Sequence, residues 1–135
     1  MKRTICVLGV ISVLAGCAAH NDMANNDFPG IVPTAVPEGL VKVWTGSMGP
    51  YLSTMKIDRD GTGLYCYSWN GKDVVGRLKY DGTNIIFQDG QRMEVASVNN
   101  NELKTHVSYY MGADYVYYQD NELKNASPFC SKSIK

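Results

Sequence analysis

The side chains best suited to chemistry in this chain are its thiols and imidazoles. The sequence has four cysteines and two histidines, namely Cys6, Cys17, Cys66, Cys130, His20 and His106. A redox pair of cysteines usually has C-x-x-C spacing, which is absent, and the spacing of these thiols and imidazoles is not that of a zinc site. We therefore expect no metal site and no cofactor.

Catalytic pairs are equally scarce. Nucleophilic catalysis needs a base beside the nucleophile, and no serine lies in a Gly-x-Ser-x-Gly elbow. His106 stands between Thr105 and Val107, and we interpret it as an ordinary strand residue. Asp114 and Asp120 are two acids in a turn region, a combination too common to indicate a glycosidase pair. We expect no catalytic residue, and we expect that the protein is not an enzyme.

One segment begins like a calcium-binding loop. Residues 58–63, DRDGTG, place acids at loop positions one and three, a hydroxyl at five and a glycine at six. Position twelve, which should be a bidentate glutamate, is Trp69. We predict a β-turn with a solvated pair of acids instead.

The first residues follow a targeting pattern. Lys2 and Arg3 precede an apolar run of about ten residues, and a membrane-spanning helix needs roughly 20. The run ends in Leu-Ala-Gly-Cys at residues 14–17, which resembles the lipobox that closes a bacterial lipoprotein signal peptide. That resemblance implies cleavage after residue 16 and acyl chains on Cys17, enough for stable membrane anchoring. The alternative is an ordinary secretory signal, cut two or three residues further on, which would leave a soluble periplasmic protein.

The same resemblance and the charge balance indicate the partners. Ala18 stands where an aspartate would favour retention in the inner membrane, so the outer membrane is predicted. Loss of Lys2 and Arg3 leaves 11 basic against 13 acidic residues, a net charge near −2, and no basic cluster favours a nucleic acid. The expected partners are the membrane, through the acyl chains on Cys17, and an unidentified envelope protein or polymer.

Two cysteines remain for a crosslink. Cys6 leaves with the signal peptide and Cys17 carries lipid, so Cys66 and Cys130 are left together in an oxidising compartment. We predict that they form a disulfide, which would close a loop of about 65 residues and stabilise the fold by on the order of 4 kcal/mol.

Three segments are predicted: a lipoprotein signal peptide at 1–16, the lipidated cysteine with a flexible tether at 17–36, and a β domain at 37–135. The tether is rich in Asn, Asp, Ala and Pro and has no period. In the β domain, apolar runs alternate with turn dipeptides such as Asn70-Gly71, which favours a type I′ hairpin. The expected strands are 40–48, 52–57, 63–69, 72–80, 83–88, 91–98, 102–111 and 115–119.

The expected fold is all-β, with a single antiparallel meander that forms an up-and-down barrel or a strongly curled sheet of about eight strands. A short helical turn at 121–126 should follow, with Asp120 as its N-cap. In residues 63–69 one face carries Tyr65 and the other Cys66, and the period alone leaves open which face is core. Ile86, Met93 and Val95 are expected in the core.

Tyrosines gather around the last predicted hairpin. A tyrosine side chain offers a large apolar contact area and one polar hydroxyl. Strands are ordinarily rich in tyrosine, however, so a purely structural role is the alternative. The candidate contact surface consists of Tyr109, Tyr110, Tyr115, Tyr117 and Tyr118.

Several segments together are similar to known proteins. The segments in question are 37–44, 49–53, 60–67, 79–80, 88–90 and 125–130. They resemble a small family of outer-membrane lipoproteins from Acinetobacter-type bacteria, which implies location and fold but no particular activity. Trp44 near the start of the first strand also resembles lipocalin-like barrels, with Lys42 in the place of their usual glycine. Tyr65, Ser68 and the late cysteine resemble periplasmic inhibitors of C-type lysozyme, whose inhibitory loops are absent here.

Two functional hypotheses from different classes follow. The favoured one is a non-catalytic binding or envelope-assembly module anchored in the outer membrane. The alternative is a carrier of a small apolar ligand, such as a lipid, of the lipocalin-like type, or a lysozyme-inhibitor-like protein. An exposed aromatic patch without a deep cavity would favour the first, and a closed apolar pocket would favour the carrier.

Overall fold

The structure is a computed structural model that describes residues 26–108 and 112–135. Within these residues the chain forms eight strands: β1 (Val43–Met48), β2 (Tyr51–Ile57), β3 (Thr62–Trp69), β4 (Lys72–Tyr80), β5 (Asn84–Phe87), β6 (Arg92–Val98), β7 (Glu102–Val107) and β8 (Ala113–Gln119). Each strand pairs antiparallel with the next, and β8 pairs with β1, for example through Tyr117 and Gly46. The prediction of an eight-stranded up-and-down barrel is confirmed.

Successive connections alternate between the two ends of the barrel. We call the end with the β1–β2, β3–β4, β5–β6 and β7–β8 connections the mouth, and the opposite end the base. At the mouth, Asn70 and Gly71 have φ of 48° and 75°, as the predicted type I′ turn requires. At the base, the 3-10 helix Glu38–Leu40 closes the barrel: Leu40 is buried, and its carbonyl accepts a hydrogen bond of 3.1 Å from Trp44 Nε1.

Alternate residues of each strand point into the barrel and form its core. Tyr65 pairs with Met55 and with Gly76 on the inner face, which answers the open question for β3: Tyr65 faces inward and Cys66 outward. A Cβ at Gly76 would lie 2.6 Å from the Tyr65 ring, so glycine is what leaves room for that ring. The buried core residues are Val36, Leu40, Trp44, Met55, Ile57, Tyr65, Leu78, Tyr80, Ile85, Phe87, Met93, Leu103 and Tyr117.

A second, smaller apolar cluster lies on the outside of the barrel wall. Cys66 and Cys130 are joined by a disulfide with a Cα–Cα distance of 5.6 Å, and Ile134 packs beside them. Cys130 belongs to helix α1 (Pro128–Ser133), which packs on β3 and β4. The predicted pairing of Cys66 with Cys130 is confirmed, and it fastens the C-terminal segment to the wall.

The C-terminal helix does not lie where the sequence predicted it. Residues 121–126 form turns, because Leu123 has a φ of 58°, which a right-handed helix does not allow. The helix begins instead at Pro128, where Ser127 Oγ accepts the Cys130 amide at 3.1 Å and proline fits the first helical position. No helix in the described part of the chain is long and apolar enough to cross a membrane.

Part of the predicted tether packs against the barrel. Residues 26–36, which we call the strap, run along the outer wall, where Phe28 is buried, and end at Val36, which packs in the barrel core. Lys79 Nζ donates to the carbonyl oxygens of Phe28 and Ile31 at 2.8 and 2.9 Å. Assigning this stretch to a flexible tether was therefore wrong. An extended segment that bonds to the barrel needs no period of its own, so the sequence gave no periodic signal.

The strap also explains the place of Ile86. This side chain is fully buried, yet it pairs with Lys79 and Arg92, both of which face outward. Lys79 contacts Phe28 of the strap, and Arg92 forms an ion pair with Asp27 at 2.6 Å. Ile86 is therefore buried, as predicted, but beneath the strap on the outer side of the wall and not in the barrel interior.

Candidate functional site

The barrel interior is filled by its own side chains. Near the mouth, Tyr65 lies edge-on to Phe87 at 4.7 Å between ring centroids and stacks with Tyr67 at 6.1 Å. Tyr51 lies edge-on to both Tyr67 and Trp69, at 5.1 and 5.8 Å. These five rings form what we call the mouth cluster, and edge-on and stacked pairs at these distances are mutually stabilising.

Very little empty space remains inside. The void among Met48, Ser53, Tyr65, Tyr67, Phe87 and Gln91 has a volume of about 10 Å³. One water molecule needs about 10–15 Å³ measured in this way. The space among these residues therefore has no room for an acyl chain.

Burial changes the acidity of two interior tyrosines. Burial raises the pKa of Tyr65 to about 12, and the Asp89 carboxylate adds to the shift. Burial likewise raises the pKa of Tyr117 to about 12. The Tyr117 hydroxyl lies 3.8 Å from the Met93 sulfur, and the shift follows because a phenolate would be poorly solvated there.

The candidate tyrosine surface is divided by the structure. Tyr109 and Tyr110 lie outside the described residues. Tyr117 is fully buried in the barrel core, so including it in a contact surface was wrong, and Tyr115 is half-buried against the same core. Tyr118 faces outward and is 56% exposed. The alternation of the strand separates these neighbours, because odd-numbered tyrosines of β8 face the lumen.

The acidic turn has the structure that the sequence predicted. It connects β2 to β3 at the base, where the Asp58 amide donates to the Thr62 carbonyl and the Asp58 carbonyl accepts from the Gly61 amide. Asp60 Oδ1 accepts both the amide and the hydroxyl of Thr62, at 2.9 and 2.7 Å. Asp60 therefore stabilises its own turn.

The remaining polar candidates lie apart from one another. His106 Nδ1 is 2.6 Å from Asp114 Oδ1 on the outer wall near the mouth. Asp120 lies beyond the other end of β8, where it accepts hydrogen bonds from Thr45 Oγ1 and the Lys124 amide, at 2.9 and 2.8 Å. With the length of a strand between them, Asp114 and Asp120 cannot flank one bond. Asp120 instead holds the turn that follows β8.

The larger concavity lies outside the barrel. It is an open groove of about 720 Å³ between the strap and the wall formed by β3 and β4, and its lining includes Phe28, Leu64, Arg77, Lys79 and Gln88. Lys79 Nζ donates hydrogen bonds to the strap carbonyls and lies 4.6 Å from the centroid of the Phe28 ring. The groove is therefore partly apolar, with the exposed Arg77 guanidinium beside it.

Sequence reasoning missed the mouth cluster. Its signal was present: Tyr65, Tyr67 and Trp69 alternate along one predicted strand, and Tyr51 follows the neighbouring turn. Of the mouth-cluster rings, Trp69 is the most exposed, at 44%. The predicted lipidation site, Cys17, lies outside the described residues and remains a prediction.

Comparisons with known proteins agree with this architecture. A family model described as "Bacterial lipocalin LPS transport optimiser YedD" matches residues 25–134. The crystal structure of a lipoprotein YedD from Klebsiella pneumoniae superimposes with a TM-score of 0.58 at 15% identity, over 78% of this chain and 90% of that one. A lipocalin lipoprotein affecting virulence in Streptococcus pneumoniae superimposes with a TM-score of 0.50 at 18% identity, over 65% of this chain and 99% of that one. No curated protein sequence is significantly similar.

Proposed function

The chain belongs to the YedD family of bacterial lipocalin-type lipoproteins, and from that premise we propose that it is a non-catalytic module, anchored in the outer membrane through Cys17, that assists the transport of lipopolysaccharide. The family description names that process, which the Acinetobacter-type resemblance did not imply. In this proposal the protein acts through contacts of its outer surface with an envelope protein or with the polymer itself.

The packed lumen is the observation that carries this proposal. A carrier needs a cavity of some 300–1,000 Å³, whereas the void beneath the mouth measures about 10 Å³. An eight-stranded barrel is just wide enough to be filled by side chains, and aromatic residues fill this one. Function in such a barrel falls to the outer wall, the strap and the connections.

The absence of catalysis is part of the proposal and rests on the same residues. Among the described residues, no serine or cysteine is hydrogen-bonded to the His106–Asp114 pair. Nucleophilic hydrolysis needs such a contact or one close to it. Asp120, the other acid considered, is held by its own turn.

Deletion and complementation test the proposed role. We expect a strain without this protein to show less lipopolysaccharide at its surface and greater sensitivity to large antibiotics that intact outer membranes exclude. Wild-type protein should restore both properties. Ala18→Asp, which keeps the lipidation site but should redirect the protein to the inner membrane, should fail to do so. Normal surface lipopolysaccharide in the deletion strain would contradict the proposal.

A second candidate, the carrier of a small apolar ligand, is supported by membership of a lipocalin-type family. It requires the rings of Tyr65, Tyr67 and Phe87 to swing out of the lumen. Mass spectrometry of the protein purified from membranes decides between the two. A lipid bound in a constant ratio would favour the carrier. Protein free of lipid other than its own acyl chains would favour the assembly module.

A further inference from the structure

The direction of the strap sets which end of the barrel the preceding chain leaves. Asn26 Nδ2 donates to the Gln88 carbonyl at 2.7 Å, which places the start of the strap at the β5–β6 connection of the mouth. At the other end of the strap, the Thr34 amide donates to the Tyr80 carbonyl and the Val36 amide to the Arg59 carbonyl, both at the base. The strap runs from mouth to base, so the chain before Asn26 leaves at the mouth.

The length of that chain limits how far the mouth stands from the anchor. Eight residues lie between Cys17 and Asn26, and the nine Cα-to-Cα steps that join these two residues span at most about 30 Å even when fully extended. A strand of seven residues tilted at about 40° makes a barrel roughly 17 Å tall. If the base faced the bilayer, the linking segment would use more than half of its length to pass along the wall. If the mouth faces the bilayer, almost none of that length is used.

Two exposed aromatic side chains lie toward the mouth. Trp69 is 44% exposed at the mouth end of β3. Ser127 Oγ is 2.7 Å from Ser68 Oγ, so helix α1 begins beside that end and brings Phe129, 38% exposed, to the same side. Tryptophan is the side chain most typical of the membrane–water interface, because its ring is apolar and its N–H polar.

From these observations we infer that the mouth of the barrel faces the phospholipid surface that holds the acyl chains of Cys17, and that Trp69 inserts at its interface. This inference rests on the lipid anchor of the proposed function and adds the orientation of the protein. The base is then directed away from the bilayer.

The two tryptophans of the chain make the test direct. Trp44 is buried at the base and Trp69 is exposed at the mouth. Full lipidated protein is reconstituted in vesicles of phosphatidylethanolamine and phosphatidylglycerol, with and without bromine atoms near the carbonyl end of the acyl chains. Wild-type protein is compared with Trp69→Phe, which retains Trp44 as the matched internal control.

We expect part of the wild-type emission to shift to shorter wavelength on reconstitution and to be quenched by the brominated lipid. Both changes should be absent in Trp69→Phe. Flotation of the same vesicles separates the two proposals. Protein that floats while its wild-type emission is unquenched would overturn the orientation and leave the anchor intact. Protein that does not float would overturn both.

Discussion

Removal of the disulfide between Cys66 and Cys130 tests the energetic basis of the fold. The bond joins residues separated by 64 positions. On the chain-entropy model, a loop of that length lowers the entropy of the unfolded chain enough to contribute about 4 kcal/mol to stability. We therefore expect the double variant Cys66→Ala/Cys130→Ala to lose about 4 kcal/mol of unfolding free energy. Alanine is preferred to serine because it adds no polar group at these buried positions.

The corresponding change in melting temperature is large. With an unfolding entropy of about 2.1 cal/mol/K per residue over roughly 110 described residues, 4 kcal/mol lowers Tm by about 17 °C. Circular dichroism of full-length wild-type and double-variant protein, under oxidising conditions, measures this shift. Wild-type protein treated with a reductant should approach the variant.

Ser127→Ala is the matched control. It removes the cap of helix α1 and the contact with Ser68 but keeps the covalent bond, so its expected cost is about 1 kcal/mol. Hydrogen exchange in the double variant should increase first in residues 127–135, which the bond holds to the wall. A fall in Tm of less than about 5 °C, equivalent to about 1 kcal/mol, would refute the loop-entropy reasoning.

Three further predictions concern the strap, the lumen and the last turn. Lys79→Met keeps the aliphatic stem but removes the donors to Phe28 and Ile31, so amide exchange in residues 26–36 should rise while the barrel strands stay protected. Tyr65 and Tyr117, whose pKa values burial raises to about 12, should keep their phenols un-ionised beyond the unfolded value near 10, as absorbance titration would show. Because those values are raised on folding, this stabilisation is complete below pH 10 and is lost as the pH rises through 12. Asp120→Ala leaves Thr45 and two amides without their acceptor and should cost about 3 kcal/mol, whereas Glu122→Ala, on an exposed pair with Lys124, should change stability by less than about 0.5 kcal/mol in urea unfolding.

The barrel could be predicted because its signals are local. Turn dipeptides such as Asn70-Gly71 fix where strands end, and sequential strands pair with their neighbours. The disulfide could be predicted because the expected compartment is oxidising and only two cysteines remain for pairing there, an argument that needs no geometry. The face of β3 could not be assigned, because Tyr65 and Cys66 are both buried, one inside the barrel and one under helix α1. Because both faces of that strand are covered, the alternation of side chains cannot show which face lies inside the barrel.

The strap and the last helix depended on contacts between distant parts of the chain. Phe28 is buried because Lys79, far away in sequence, places its stem and ammonium group beside it. Residues 121–126 fail to form a helix because the Asp120 side chain accepts amides that a helix would use, while Thr45 holds that carboxylate in place. Neither arrangement has a short-range signature.

The candidate surface was divided for a related reason. The five tyrosines were grouped because they are close in sequence, but neighbouring residues of a pleated strand point to opposite faces. Tyr117 lies opposite Gly46, where a Cβ would be 3.0 Å from its ring, so the glycine marks Tyr117 as interior. Reading glycines together with their cross-strand partners would have separated Tyr117 from Tyr118.

That pairing of small and large residues explains why the lumen is closed. A Cβ at Gly63 would lie 2.8 Å from the Leu78 side chain, and one at Gly76 would lie 2.6 Å from the Tyr65 ring. Each glycine leaves space that a large side chain on the neighbouring strand fills, so the interior is closely packed. An apolar ligand would have to replace contacts that already exist, and it would gain little by doing so. A filled interior is expected when the barrel serves as a rigid support. Partners are therefore expected to bind the wall and the strap.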